Sequence, residues 1–88
     1  MHYSDFCAKL KQMASYTSEE RAFLQQIGSK IKDIRSERGL SQEQLSFDAD
    51  LDRTYIGSVE RGERNISIIN LNKIAKALNF QISEFFKN

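Results

Sequence analysis

Gly39-Leu40-Ser41-Gln42-Glu43-Gln44-Leu45 leads into Asp50-Leu51-Asp52-Arg53-Thr54-Tyr55-Ile56, which is followed by Val59-Glu60-Arg61-Gly62. Ser41-Gln42-Glu43-Gln44 has the form of a capping box, in which the serine side chain and the glutamine three residues on each satisfy the other's backbone amide. A short helix follows and buries Leu45 and Ala49. Asp50 stands where a tight turn is required, and aspartate tolerates a left-handed backbone better than most residues. Asp52 can cap a second short helix running to about Arg61, with Ile56 and Val59 inward and Gly62 ending it. The segment from Ser41 to Gly62 thus predicts a helix, a tight turn and a second helix. Arg53, Thr54, Tyr55 and Ser58 share the side opposite Ile56 and Val59, so the second helix carries polar side chains with reach on its outer face.

The flanking sequence repeats the same punctuation. Thr17-Ser18-Glu19-Glu20 is another capping box, and its two acids suit the positive end of a helix. The helix it opens runs to about Arg38, with Phe23, Ile27, Ile31 and Ile34 on its apolar face and Gly39 as its C-cap. Ser67 caps a further helix with a buried stripe of Ile68, Leu71, Ile74, Ala75 and Leu78, while Asn70, Asn72 and Lys73 fall on its solvated side. Asn79 can end that helix in the left-handed region. Ser83 starts a last short helix carrying Phe85 and Phe86. At the N-terminus, Tyr3, Phe6, Leu10 and Met13 recur at helical spacing, with Lys9 and Lys11 off the stripe. The expectation is an all-α protein: five helices in a domain spanning 17–88, and an additional helix in an N-terminal extension over 1–16.

Composition narrows the function. Eighty-eight residues imply one domain, with a modest core and no room for a large enzyme cleft. The absence of proline and the presence of only four glycines allow helix after helix with short breaks. Thirteen basic residues against twelve acidic ones leave a net charge of +1, so any basic face must arise by segregation. Cys7 is the only cysteine and is expected to be a partly buried thiol, since it has no disulfide partner and no companion at metal-ligand spacing. A disulfide-free chain without a visible signal peptide or membrane span is expected in the cytoplasm. His2 is read as a solvated terminal residue. Asp48, Asp50 and Asp52 alternate, but they lack the glycine and distal glutamate of a calcium loop, so turn and cap roles are assigned to them. No Ser-His-Asp set, carboxylate pair or phosphate loop is arranged for chemistry. No enzyme activity, cofactor, metal or small-molecule ligand is expected.

Taken together, the motifs between Ile27 and Phe86 resemble the lambda-repressor-like helix-turn-helix family, also called the Cro/C1 or XRE type. Leu51-Asp52-Arg53-Thr54-Tyr55-Ile56 with Glu60-Arg61-Gly62-Glu63-Arg64-Asn65 is most similar to the controller proteins of restriction-modification systems. The resemblance implies a homodimeric transcriptional regulator that binds a partly palindromic operator in double-stranded DNA. A prophage-type repressor is the near alternative. An antitoxin-like protein-interaction module, with residues 1–16 masking a partner, is the rival from another class.

The resemblance also implies roles for individual residues. Arg53 would donate a fork of hydrogen bonds to guanine, and Thr54 offers a hydroxyl and a methyl that suits thymine. Tyr55 and Ser58 are counted with them in the base-reading set, although Tyr55 either contacts a phosphate or packs against the turn, and Ser58 permits close approach more than it specifies. Gln42, Arg61, Arg64 and Asn65 would hold the sugar-phosphate chain without reading sequence. Arg35 and Glu60 would form a structural salt bridge that fixes the recognition helix's angle. Two features depart from the family: Asp50 stands where glycine is usual, and Gly57 precedes Ser58 where controllers place serine directly after the isoleucine. Phe80, Ile82, Phe85 and Phe86 have two compatible explanations, core closure and a dimer seam.

Overall fold

The computed structural model describes residues 16–87. The N-terminal helix expected within 1–16, with Cys7 and His2, lies outside the described residues apart from Tyr16. Among the described residues the chain forms four α-helices and no strand: α1 Ser18–Glu37, α2 Gln42–Ala49, α3 Arg53–Glu60 and α4 Ile68–Ala77. A 3-10 turn, Ile82–Phe86, follows them. The last element therefore begins one residue before Ser83 and winds more tightly than the α-helix the sequence suggested.

Three helices start on a side-chain cap. Thr17 and Glu20 exchange bonds of 3.0 and 2.9 Å at α1, and Ser41 and Gln44 exchange bonds of 3.0 and 2.8 Å at α2. Ser67 accepts from the Asn70 amide at 3.1 Å. Each such cap is worth about 1 kcal/mol. Asp52 occupies the corresponding position before α3 but makes no side-chain bond there, contrary to the cap expected of it.

All four helices end in the same way. Gly39, Asp50, Gly62 and Asn79 each take a positive φ, between 52° and 74°. The next amide in each case bonds back to a carbonyl five residues earlier: Leu40 to Arg35, Leu51 to Ser46, Glu63 to Ser58 and Phe80 to Ala75, at 2.9–3.0 Å. These bonds satisfy carbonyls that the helix ends would otherwise orphan and reverse the chain within a few residues.

The core draws on every element. Ile27, Ile31 and Ile34 of α1 meet Ile56 and Val59 of α3, Leu45 and Ala49 of α2, Leu71, Ile74 and Ala75 of α4, then Leu78 and Phe85. Phe23 and Ile68 were expected in this core, yet they are 47% and 62% exposed. Each sits in the first turns of its helix, at the margin of the core cluster. Phe23 instead stacks on Phe86, with ring centroids 6.4 Å apart. Lys30 reaches from α1 to the carbonyl oxygens of Glu84 and Phe85, at 3.2 and 3.4 Å, and so ties the 3-10 turn to the long helix.

Candidate nucleic-acid interface

The second helix of the turn motif, α3, is enclosed over most of its length. Residues Ile56 to Glu60 are all buried, whereas Arg53 and Thr54 at its first turn are exposed. Only that first turn projects. This corrects the reading of Ser58, which is 7% exposed and donates its hydroxyl hydrogen bond to the Tyr55 carbonyl at 2.8 Å. Packing of α1 and α2 on α3 widens the buried face beyond the strip marked by Ile56 and Val59.

Tyr55 is half-buried. Its hydroxyl accepts a bond from the Asn70 side chain at 3.1 Å, and the Arg64 guanidinium carbon lies 5.2 Å from its ring centroid. The ring thus packs as a platform while the phenolic proton stays available to an acceptor. Asn70, expected on the solvated side of α4, is half-buried by this contact.

A charged network fixes the far end of α3. Arg35 donates from Nε to one Glu60 oxygen at 2.6 Å and from Nη2 to the other at 3.1 Å. Its Nη1 donates to the Leu40 carbonyl at 2.8 Å. Gln42, at the start of α2, donates to Glu60 Oε1 at 2.9 Å. One carboxylate is therefore gripped from α1 and α2 together. The Gln42 amide is engaged within the protein and is not simply held out toward a phosphate.

Gly57 explains how the neighbouring groups fit. A Cβ at this position would lie 3.3 Å from Arg61 Nη1 and 3.6 Å from Gln42 Oε1. Its missing side chain leaves a notch beside which Gln42 and Arg61 come together. Arg61 also makes a two-point pair with Glu63, Nε to Oε2 at 3.0 Å and Nη2 to Oε1 at 3.1 Å. The pair is exposed. Hydrogen bonding to Arg61 holds the Glu63 carboxyl below its usual range, and hydrogen bonding to Glu63 raises the Arg61 guanidinium further. Arg64 and Asn65 are exposed, and Asn65 lines a shallow groove with Tyr16, Glu19, Glu20 and Phe23.

The C-terminal aromatics separate into different roles. Phe85 is fully buried, which removes it from the dimer-seam candidates. It is the largest side chain in the core and closes its end. Phe80 and Ile82 are half-buried against the core, with the Phe80 ring 4.9 Å from that of Phe85. Phe86 is 47% exposed. Ile68 and Ile69, which sequence reasoning had not singled out for a seam, are 62% and 68% exposed at the start of α4. The described residues contain no group of side chains arranged to hold a metal, and no helix among them is long and apolar enough to cross a membrane.

A helix-turn-helix family model matches residues 31–85. The chain is 47% identical over 62 residues to the control protein C.MunI of a Mycoplasma species, covering 69% of this chain and 84% of that protein. The crystal structure of the restriction-modification controller protein C.AhdI from Aeromonas hydrophila matches with a TM-score of 0.72 at 46% identity, over 74% of this chain and 98% of that one. The controller protein C.Esp1396I, solved as a tetramer in complex with its natural 35 base-pair operator, matches with a TM-score of 0.68 at 42% identity, over 73% of this chain and 84% of that one. By its matched motif, its sequence and its fold, the chain belongs to the XRE-type helix-turn-helix family, alongside the restriction-modification controller proteins.

Proposed function

We propose that the chain is a sequence-specific DNA-binding transcriptional regulator of the restriction-modification controller kind, acting as a homodimer on a partly palindromic operator. The observation that carries this reading is the exposed first turn of α3, with Arg53 and Thr54 outward on a helix whose other end is fixed by Arg35, Glu60 and Gln42. A turn presented in this way enters a major groove, while the helix before it crosses the backbone. Arg53 and Thr54 read base edges, and Tyr55 contributes its hydroxyl at the margin of that set. Arg61, Arg64 and Asn65 grip the sugar-phosphate chain, and Gln42 joins them through the amide hydrogen that Glu60 leaves free. The operator complex of C.Esp1396I supports double-stranded DNA as the partner.

So short a reading surface covers few base pairs, and two copies on half-sites about one helical turn, ~34 Å, apart supply the rest. The seam draws on the exposed Ile68, Ile69 and Phe86 together with the half-buried Phe80 and Ile82. Residues 17–88 form the DNA-binding domain, with the 3-10 turn standing as its fifth helix, and residues 1–16 precede it as an extension. The protein performs no catalysis and works in the cytoplasm, where its operator lies. The deciding experiment is a band-shift measurement at moderate salt on the DNA directly upstream of its own gene. A specific shift is expected; a folded dimer that shifts this DNA no better than unrelated duplex overturns the reading.

A further inference from the structure

We infer that Glu63 competes with DNA phosphate for Arg61, so that the free protein holds one of its own backbone-gripping side chains in check. The inference rests on the DNA-binding reading above and adds a residue that lowers affinity within it.

The backbone holds the two residues in place. Arg61 is the C-cap of α3, and its amide bonds to the Gly57 carbonyl at 3.2 Å. Gly62 turns the chain in the left-handed region, where a Cβ would lie 2.6–2.9 Å from atoms of Gln25 on α1. The Glu63 amide bonds to the Ser58 carbonyl at 2.9 Å. This bend is held against α1 and by the bond to Ser58, and it sets the Glu63 side chain beside that of Arg61. The carboxylate occupies the Nε–Nη2 edge of the guanidinium, while Nη1 lies over the Gly57 notch beside Gln42. A guanidinium grips a phosphate in the same two-point manner. Arg61 can offer this side-on edge to a phosphate only by leaving Glu63. An acidic side chain then remains next to DNA without its partner and takes up a cation from solution. The expected result is weaker binding, a shallower dependence on salt, and no change in sequence preference, because phosphate contacts carry no sequence information.

The test measures affinity against salt for wild type, Glu63→Gln, Arg61→Ala and the double variant, on the upstream DNA and on an unrelated duplex. Thermal melts serve as the folding control, since both side chains are on the surface. Glu63→Gln is expected to tighten binding about two- to fivefold on both duplexes, the scale of an exposed ion pair. It should also steepen the slope of log K against log salt by up to about 0.9, because Glu63 no longer takes up a cation when Arg61 leaves it. In the Arg61→Ala background the same substitution should change affinity much less and leave the slope alone. Equal tightening in both backgrounds, or none in the wild-type background, overturns the inference while leaving the regulator reading intact. A wild-type protein that binds neither duplex overturns both.

Discussion

Gly28 of α1 lies against the Val59 carbonyl of α3 so closely that a Cβ there would come within 2.3 Å of the carbonyl oxygen and 2.6 Å of that of Glu60. The obstacle is backbone, so no rotamer change relieves it. Gly28→Ala gains up to about 1 kcal/mol of helix propensity. It must also push two helices apart, and overpacking of this kind costs about 1–3 kcal/mol. The steric effect should win. Thermal unfolding followed by circular dichroism should show a midpoint lower by roughly 4–8 °C for each kcal/mol of net loss. A raised midpoint would contradict the close crossing.

The Glu60 network predicts a graded series. The side chains of Arg35 and Glu60 are 12% and 2% exposed, so removing one charge strands the other in a dry site. Glu60→Gln or Arg35→Met should each cost about 3–5 kcal/mol in denaturant unfolding. Gln42→Ala removes one neutral donor to a carboxylate and should cost about 1–3 kcal/mol. A double Arg35→Met, Glu60→Met variant should recover part of the loss, since neither charge is then left alone.

Arg53 and Arg64 should fail differently. Arg53→Ala is expected to lose about 1–3 kcal/mol of discrimination at one base position. Arg64→Ala should weaken binding to all duplexes alike and flatten the salt dependence by about one phosphate. Tyr55→Phe loses the bond from Asn70 yet keeps the ring under Arg64, whereas Tyr55→Ala removes the ring as well. Fluorescence anisotropy across a set of single-base operator variants separates these outcomes.

Assembly can be separated from folding at the C-terminal half. Ile68→Glu and Ile69→Glu alter exposed positions and should leave the circular dichroism spectrum and melt nearly unchanged. Sedimentation should show them as monomers. Phe85→Ala should instead cost about 3–5 kcal/mol of stability at any concentration, because that side chain is core. Dimers persisting in both isoleucine variants would move the seam elsewhere.

The Arg61–Glu63 pair sets a pH expectation with a definite sign. The folded-state Glu63 carboxyl titrates below its ordinary range. Its contribution is therefore present above that range and lost as pH falls through the depressed value. The raised Arg61 guanidinium stays charged throughout, so no loss appears on the alkaline side. Both groups are at the surface, so the effect on global stability is small. The Glu63 carboxyl carbon followed by NMR is the direct measurement, and Arg61→Ala should return it to the usual glutamate range.

Helix starts and stops were readable because the preferences behind them act over three or four residues. The boxes at Thr17 and Ser41, the cap at Ser67 and the turn residues Gly39, Asp50, Gly62 and Asn79 all follow such local rules. Faces were less readable where burial depends on how many neighbours wrap a helix. Ser58 turned inward because α3 is enclosed on two sides, whereas Ile68 lies outside the core cluster and Phe23 meets Phe86 at its margin. The Arg35–Glu60 pairing was suggested by family resemblance, with no local pattern to announce it. The Asn70–Tyr55 bond joins positions fifteen apart and has no sequence signature. Glu63 could have been found from its place two residues after Arg61.

The single carboxylate of Glu60, gripped from α1 and α2 at once, also bears on time. The angle between the two helices of the turn is set before any DNA arrives. Docking then requires no folding of the reading surface, and encounter is governed by diffusion, orientation and long-range attraction. Arrival rates should vary little from one operator to another, and the choice among operators should be expressed in how long the protein stays.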